Sequence, residues 1–292
     1  MAYLDVNGFK VYYEVYDGLV DKDTLLIHGN LACSLWWHPA IDVLKTQAHP
    51  HIDSPLASSN AAKDLAKTLP KKGRLVCMDW RGCGQSKGLT QKSEIKFETF
   101  AEDALSLIKH LELKDVQVIG HSTGGLIAML AILKDSTPFE SLVLLDSIGP
   151  KGIVSPVPQD VLLAHFHALS QDENLSNTTI AATIEGVDTS TDHFKALAQA
   201  TFNVDEPIWV GVPEELCNNV DITHRMSEIT LPTLILHGEK DMVLPLEGSI
   251  EMHELLPQSE LVVLKDHGHS LNVEDPKKYV ELLQNFNSKL EI

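Results

Sequence analysis

The sequence predicts an α/β fold: a mostly parallel central sheet flanked by helices, with a helical cap inserted between two of its strands. Three observations lead there. Short apolar runs recur along the 292 residues. Helical patterns lie between several of them, which implies crossover connections and hence parallel strand pairs. One long interval, 151–225, carries helical patterns and no convincing strand.

The elements follow in chain order. Residues 3–16 alternate around Asn7-Gly8, the signature of a β-hairpin with a tight turn. The apolar runs are Thr24–His28, Arg74–Asp79, Val116–Gly120, Leu142–Asp146, Thr233–His237 and Leu261–Leu264. Most are β-branched or Leu-rich at every position, as expected of strands buried on both faces. A helix is expected over Glu98–Leu111. Residues 47–62 (QAHPHIDSPLASSNAA) are rich in Pro, Ser and Ala and read as an insertion or long loop. Within 151–225, helical stretches lie near Asp160–Leu169, Asn177–Ile184 and His193–Thr201. Periodicity alone is compatible with a separate helical domain, but the return to a strand at Thr233 favours an insertion. The expected organisation is a core built from 1–150 and 226–292, with a cap at 151–225.

Composition narrows the function classes. Asp and Glu number 41 against 23 Lys and Arg, a formal charge of -18. Such an excess argues against nucleic acid and anionic membrane surfaces as partners. No run of about 18 apolar residues is present, so no membrane span is expected. The N-terminus lacks a basic region followed by an apolar run, the mark of a signal peptide. Cys33, Cys77, Cys83 and Cys217 form no C-x-x-C pair and read as reduced thiols of a cytoplasmic protein.

Two places match G-x-S-x-G: Gly120-His121-Ser122-Thr123-Gly124 and Gly84-Gln85-Ser86-Lys87-Gly88. A nucleophile elbow needs a strand that runs straight into a sharp turn and then a helix, with small residues where the backbone crowds. Ser122 has all three: the strand Val116–Ile119, Gly124-Gly125, and the apolar helical pattern of Leu126–Leu133. Its hydroxyl would sit at a helix N-terminus, which favours developing negative charge. Ser86 stands several residues beyond its candidate strand and opens no helix, so it reads as a turn residue.

With those residues in place, the chain resembles the α/β-hydrolase superfamily, nearest its capped esterases and lactonases. The resemblance rests on His28-Gly29-Asn30, Asp79–Ser86, the elbow at 120–125, Gly238-Glu239-Lys240-Asp241 and Gly268-His269, all in the family's order. It implies an α/β-hydrolase fold and a triad of Ser122 as nucleophile, Asp241 as acid and His269 as base. The base takes the serine proton and later protonates the leaving group; the acid holds the imidazole in the useful tautomer. Asp146 ends a predicted strand and is the rival acid, since some members draw theirs from there. The oxyanion hole is expected from the backbone N–H groups of Thr123 and Asn30. Leu31, Trp36, Trp37 and His121 are candidates for the pocket wall, with core packing as the alternative for the two tryptophans.

The implied activity is hydrolysis of a small carboxylic ester or lactone through an acyl-enzyme, with no cofactor and no metal. Asp266-His267-Gly268-His269 could suggest metal binding, but no other metal-type spacing accompanies it. A serine at the elbow speaks against haloalkane dehalogenation, which needs a carboxylate nucleophile. Carbon–carbon hydrolases and cofactor-free perhydrolases share the triad, and a ligand receptor on the same fold is the alternative from another class.

Overall fold

A computed structural model describes residues 2–48, 72–155 and 157–290. Strands Ala2–Val6 (β1) and Phe9–Val20 (β2) form the expected antiparallel hairpin. Its turn residues Asn7 and Gly8 both have positive φ, 54° and 86°, as a two-residue turn matched to strand twist requires. The apolar runs become Thr24–Ile27 (β3), Gly73–Met78 (β4), Val116–His121 (β5), Phe139–Leu145 (β6), Thr233–Gly238 (β7) and Ser259–Leu264 (β8). All eight strands form one sheet in the order β1-β2-β4-β3-β5-β6-β7-β8. Pairs β1–β2 and β2–β4 are antiparallel and the rest parallel.

The sheet is buried on both faces, and the two faces are read by alternate residues. Leu25, Ile27, Val76, Met78, Val118, Leu142 and Leu144 face one core layer. Leu26, Leu75, Cys77, Ile119, Val143 and Leu145 face the other. Phe97–His110 (α2) and Thr123–Lys134 (α3) cover the first face, through Phe97, Phe100, Leu107, Leu126 and Ile127. The second is covered by His38–Ala48 (α1) and the C-terminal helix Pro276–Leu290 (α10), through Ile41, Tyr279, Val280 and Phe286. Leu246–Leu255 (α8) and the short Leu271–Glu274 (α9) complete the core elements. Of the insertion expected at 47–62, residues 47–48 finish α1, and 49–62 lie outside the described residues.

Four helices lie between β6 and β7: Gln159–Gln171 (α4), Glu173–Ala182 (α5), Asp192–Phe202 (α6) and Glu206–Asn218 (α7). Three match the expected helical stretches. The fourth, α7, was not legible, because Gly211 and Pro213 both disfavour a helix interior. Tertiary packing overrides them. Ile208, Trp209, Val212 and Leu216 are buried, and Gly211 allows a close approach, since a Cβ there would lie 2.5 Å from the Ile95 side chain. Among the described residues no helix is long and apolar enough to cross a membrane.

Strand order reverses beside β3. The chain steps from β3 to β4 on one side, then crosses to β5 on the other and continues outward. Loops leaving the C-terminal ends of β3 and β5 therefore diverge and leave a crevice, the usual ligand site of an open α/β sheet. The Asp79–Ser86 turn braces the loop after β3. Asp79 Oδ1 accepts from Ser34 N at 2.7 Å and Oδ2 from Gln85 N at 2.8 Å. Burial pushes the Asp79 carboxyl up to about 6.

Ser86 is the pin of this turn. Its Oγ donates to Asp79 O at 2.6 Å and accepts from Tyr12 N at 2.8 Å, with no exposure to solvent. Ser86→Ala should leave both groups buried and unpaired and cost about 1–3 kcal/mol, read as a lower urea midpoint with an unchanged m-value. An unaltered midpoint would contradict this bracing role.

Candidate active site

Strand β5 runs into helix α3 with Ser122 alone between them, at φ 53° and ψ -121°. A non-glycine residue held in such a region stores roughly 1–3 kcal/mol of strain. Three hydrogen bonds hold it there. Ser122 N donates to Leu145 O at 2.9 Å, and Ser122 O accepts from Gly125 N at 3.0 Å and Ile148 N at 3.1 Å. The turn closes only because two positions lack side chains. A Cβ on Gly120 would lie 2.4 Å from Gly124 O, and one on Gly124 would lie 2.2 Å from Ile27 O. The Ser122 hydroxyl is thereby set at the N-terminus of α3, where the first N–H groups, Thr123 among them, have no intrahelical acceptor.

The loop after β3 comes alongside. A Cβ on Gly29 would lie 3.0 Å from Ser122 Cβ, so the Gly29–Asn30 peptide stands next to the serine. His28 locks this loop: Nδ1–H donates to Gly29 O at 2.8 Å, and Nε2 accepts from Trp80 N at 3.3 Å. Burial pulls the His28 pKa down to about 3, so it stays neutral in that tautomer. Leu31 has φ 55°, and its carbonyl accepts from Thr201 Oγ1 of α6 at 2.6 Å. Asn30 Oδ1 is buried without a partner among the described residues.

Asp241 and His269 meet from two loops. His269 Nδ1–H donates to Asp241 Oδ2 at 2.7 Å. Asp241 Oδ1 accepts from Val243 N at 2.7 Å and Leu244 N at 3.0 Å. Burial favours the neutral imidazole, but the hydrogen bond and charge of Asp241 outweigh it, so the His269 pKa lies above 6.5. Asp241 moves the opposite way: its burial is overcome by the bond from His269, and its pKa is lowered. His269 Nε2 is left as the basic nitrogen. Among the described residues no hydrogen bond joins it to Ser122 Oγ, a step that often tightens only when substrate binds. The two segments are joined instead through His121, whose Nε2–H donates to His269 O at 2.7 Å. Burial and the neighbouring His269 bring the His121 pKa down to about 3.

Asp146, the rival acid, bonds elsewhere. Its Oδ1 accepts from Gly238 N at 2.8 Å, and its Oδ2 has no partner among the described residues. It is fully buried at φ 42°, and burial pushes it up to about 8. Atoms of Asp146, His237 and Asp241 lie within 4.8 Å of one another and form the single metal-capable group among the described residues. Those atoms are largely engaged: Asp241 by His269 and two N–H groups, His237 Nδ1 by Ser249 Oγ at 3.0 Å. His267 turns aside, its Nδ1 bonded to Lys265 O at 2.8 Å.

Leu31, Trp36, Trp37 and His121 are all buried. Trp36 stacks on His121 at 6.1 Å between ring centres and joins the apolar cluster of Ile180, Ile184, Phe194 and Leu197 from the four-helix segment. Trp37 lies deeper in the core layer, 6.2 Å from the Tyr279 ring. Asp79 lies in the Asp79–Ser86 segment that the sequence singles out, but the sequence gives no local signal for Glu14. Glu14 accepts from Tyr12, Tyr16 and His38, which overcome its burial and hold its carboxyl down at about 2. A cavity of about 470 Å³ opens between α1, α6 and α9, but its walls are His38, Asp42, Ile184, Phe194, Leu197 and Glu274, and Ser122 is not on them.

Comparison with known proteins agrees with this fold. The family model for the alpha/beta hydrolase fold matches residues 25–276. A Bacillus subtilis (strain 168) protein, AB hydrolase superfamily protein YisY, is 26% identical over 230 residues, 75% of this chain and 84% of its own. The pimeloyl-(acyl-carrier protein) methyl ester esterase of Vibrio vulnificus (strain YJ016) is 26% identical over 236 residues, 78% of this chain and 89% of its own. An esterase structure from Exiguobacterium antarcticum superposes with a TM-score of 0.79 at 21% identity, covering 98% of this chain and 97% of that one.

The buried Asp146 makes stability depend on pH. Its pKa is near 3.9 unfolded and about 8 folded, so the native state keeps a proton that the unfolded state releases. The resulting cost is absent below about pH 4 and grows as pH rises towards 8. Asp146→Asn keeps the acceptor for Gly238 N and cannot ionise. Its melting temperature relative to the parent should climb steadily from pH 4 to 8; a pH-independent difference would contradict a protonated Asp146.

Proposed function

The chain belongs to the α/β-hydrolase fold family, and from that premise we propose that it is a serine hydrolase of small carboxylic esters or lactones. The observation that carries the reading is the 2.7 Å Asp241–His269 pair, whose His269 carbonyl is bonded by His121, the residue just before a strained serine at a helix N-terminus. His269 Nε2 takes the Ser122 proton as Oγ adds to the substrate carbonyl. The oxyanion that forms is stabilised by the N–H groups of Thr123 and Asn30. Asp241 stabilises the imidazolium, which then protonates the departing alcohol or ring oxygen. Water, deprotonated by the same nitrogen, releases the acid and restores the serine.

Residues 151–225 act as a cap over this site. Thr201 bonds the Leu31 carbonyl, and Trp36 is sandwiched between His121 and the Ile184–Phe194–Leu197 cluster. The esterase name of the Vibrio vulnificus relative supports the ester class.

A fluorophosphonate probe should label the protein, and Ser122→Ala should abolish labelling and lower p-nitrophenyl ester turnover on the order of 10⁴-fold. Labelling that persists in Ser122→Ala would sink the assignment.

Turnover should also fall on the acid side through a pKa above the ordinary imidazole value, because the base must be neutral. Asp241→Asn should cost roughly 10³- to 10⁴-fold and move that limb to lower pH, while Asp146→Asn costs far less. Reversal of the two effects would make Asp146 the acid.

A further inference from the structure

Glu274 stands at the end of α9, five residues past the candidate base, and it reaches back across it. Its Oε2 accepts from Gly268 N at 2.8 Å and its Oε1 from Ser270 N at 3.0 Å. Those two N–H groups belong to the residues immediately before and after His269. One carboxylate therefore clamps both backbone positions that bracket the imidazole. A Cβ on Gly268 would lie 3.0 Å from Glu274 Oε1, so any larger residue there presses on the fork.

We propose that Glu274 is the positioning residue of this site: its carboxylate, forked across Gly268 N–H and Ser270 N–H, aims the His269 imidazole. The inference rests on the serine-hydrolase reading and deepens it. Three other constraints act on the same residue: Asp241 on Nδ1, the His121 N–H on the carbonyl, and the fold of α9 itself, whose Glu274 N donates back to Ser270 O at 2.9 Å. Glu274 is anchored from behind as well. The next residue, Asp275, caps α10 by accepting from Lys278 N at 3.0 Å.

The clamp also carries charge. Groups facing His269 are Asp241 from the loop after β7, Asp146 from the end of β6, Glu274 from α9 and His121 from β5. Asp146 holds its proton near neutrality, and His121 is neutral. The ionic field on the imidazole is thus that of Asp241 aided by Glu274, and both favour the protonated form.

The test uses the full chain and two variants. Glu274→Gln keeps the shape and one acceptor oxygen but loses the charge; Glu274→Ala loses the clamp. With p-nitrophenyl acetate, kcat should fall about 10-fold in the first and on the order of 10²-fold in the second, with KM changed less than about 2-fold, as expected for a misaimed base. In both, the acid limb of kcat/KM and the His269 imidazole titration followed by NMR should move to lower pH. Should Glu274→Ala fail to fold, Glu274→Gln decides. A folded Glu274→Gln protein with unmoved His269 titration overturns the proposal, whether or not kcat drops, because a merely structural role lowers stability without touching the imidazole. The NMR titration needs no turnover. A parent protein that neither hydrolyses esters nor takes the fluorophosphonate would therefore defeat the hydrolase reading while leaving the effect of Glu274 on His269 measurable.

Discussion

The conformation of Ser122 is the constraint on which the rest of the site depends. A positive φ at a serine is costly, and it survives only where the surroundings over-determine it. Here they do so through a glycine two residues to either side, a bond to β6, and bonds from Gly125 N and from Ile148 N in the loop after β6. The same close approach that strains the serine seats α3 against β3, because Gly124 lies on Ile27 O. Strain, helix placement and the proximity of the Gly29–Asn30 peptide are one feature. Relaxing the turn would move the serine away from the helix N-terminus and from the neighbouring loop at once.

Around that fixed point the electrostatics are arranged by burial. Asp241, Asp146 and His121 lie against His269, with His28 in the loop beyond, and environment divides them. Asp241 receives three hydrogen bonds, which keep it charged. Asp146 receives one and has an oxygen with none, so burial wins and it keeps a proton. His121 and His28 are neutral because burial outweighs the carbonyl that each of their N–H groups meets. Two ionised carboxylates side by side in such a place would repel strongly. Protonation of Asp146 leaves Asp241, aided by the part-buried Glu274, as the negative charge facing the imidazole.

Much of this was legible in the sequence, for reasons that can be named. Strands buried on both faces write apolar residues at every position, so the parallel sheet announced itself. The elbow was separable from its decoy because it sits directly between a strand and a helix, whereas Ser86 does not; the structure gives Ser86 to a turn, bonded to Tyr12 and Asp79. Other features were hidden because they depend on distant partners. Pro213 and Gly211 argue against a helix until Ile95 and the buried face of α7 are seen. Glu14 looks like any acidic residue until His38, from another segment, arrives to join Tyr12 and Tyr16. The choice between Asp146 and Asp241 was likewise a matter of geometry, since both follow strands and only one reaches His269.

The four-helix segment is tied to this chemistry mainly by apolar contact. Lys240 bridges Glu185 at 3.2 Å and Asp266 at 3.4 Å, linking the loop after α5 to the loops that carry Asp241 and His269. All three side chains are substantially exposed, and such pairs contribute about 0–1 kcal/mol. A fully buried Leu, Ile or Phe contributes about 1.5–3 kcal/mol. Ile184, Phe194 and Leu197 are each at least 95% buried against Trp36 and its neighbours. The apolar cluster therefore sets where the helices sit, and the ion pairs trim it. Because Trp36 also stacks on His121, and His121 holds the His269 carbonyl, the packing that seats these helices continues without a break to His269. A change of side chain in the helical segment thus has a physical route to the orientation of His269, separate from any effect on the shape of the space beside it.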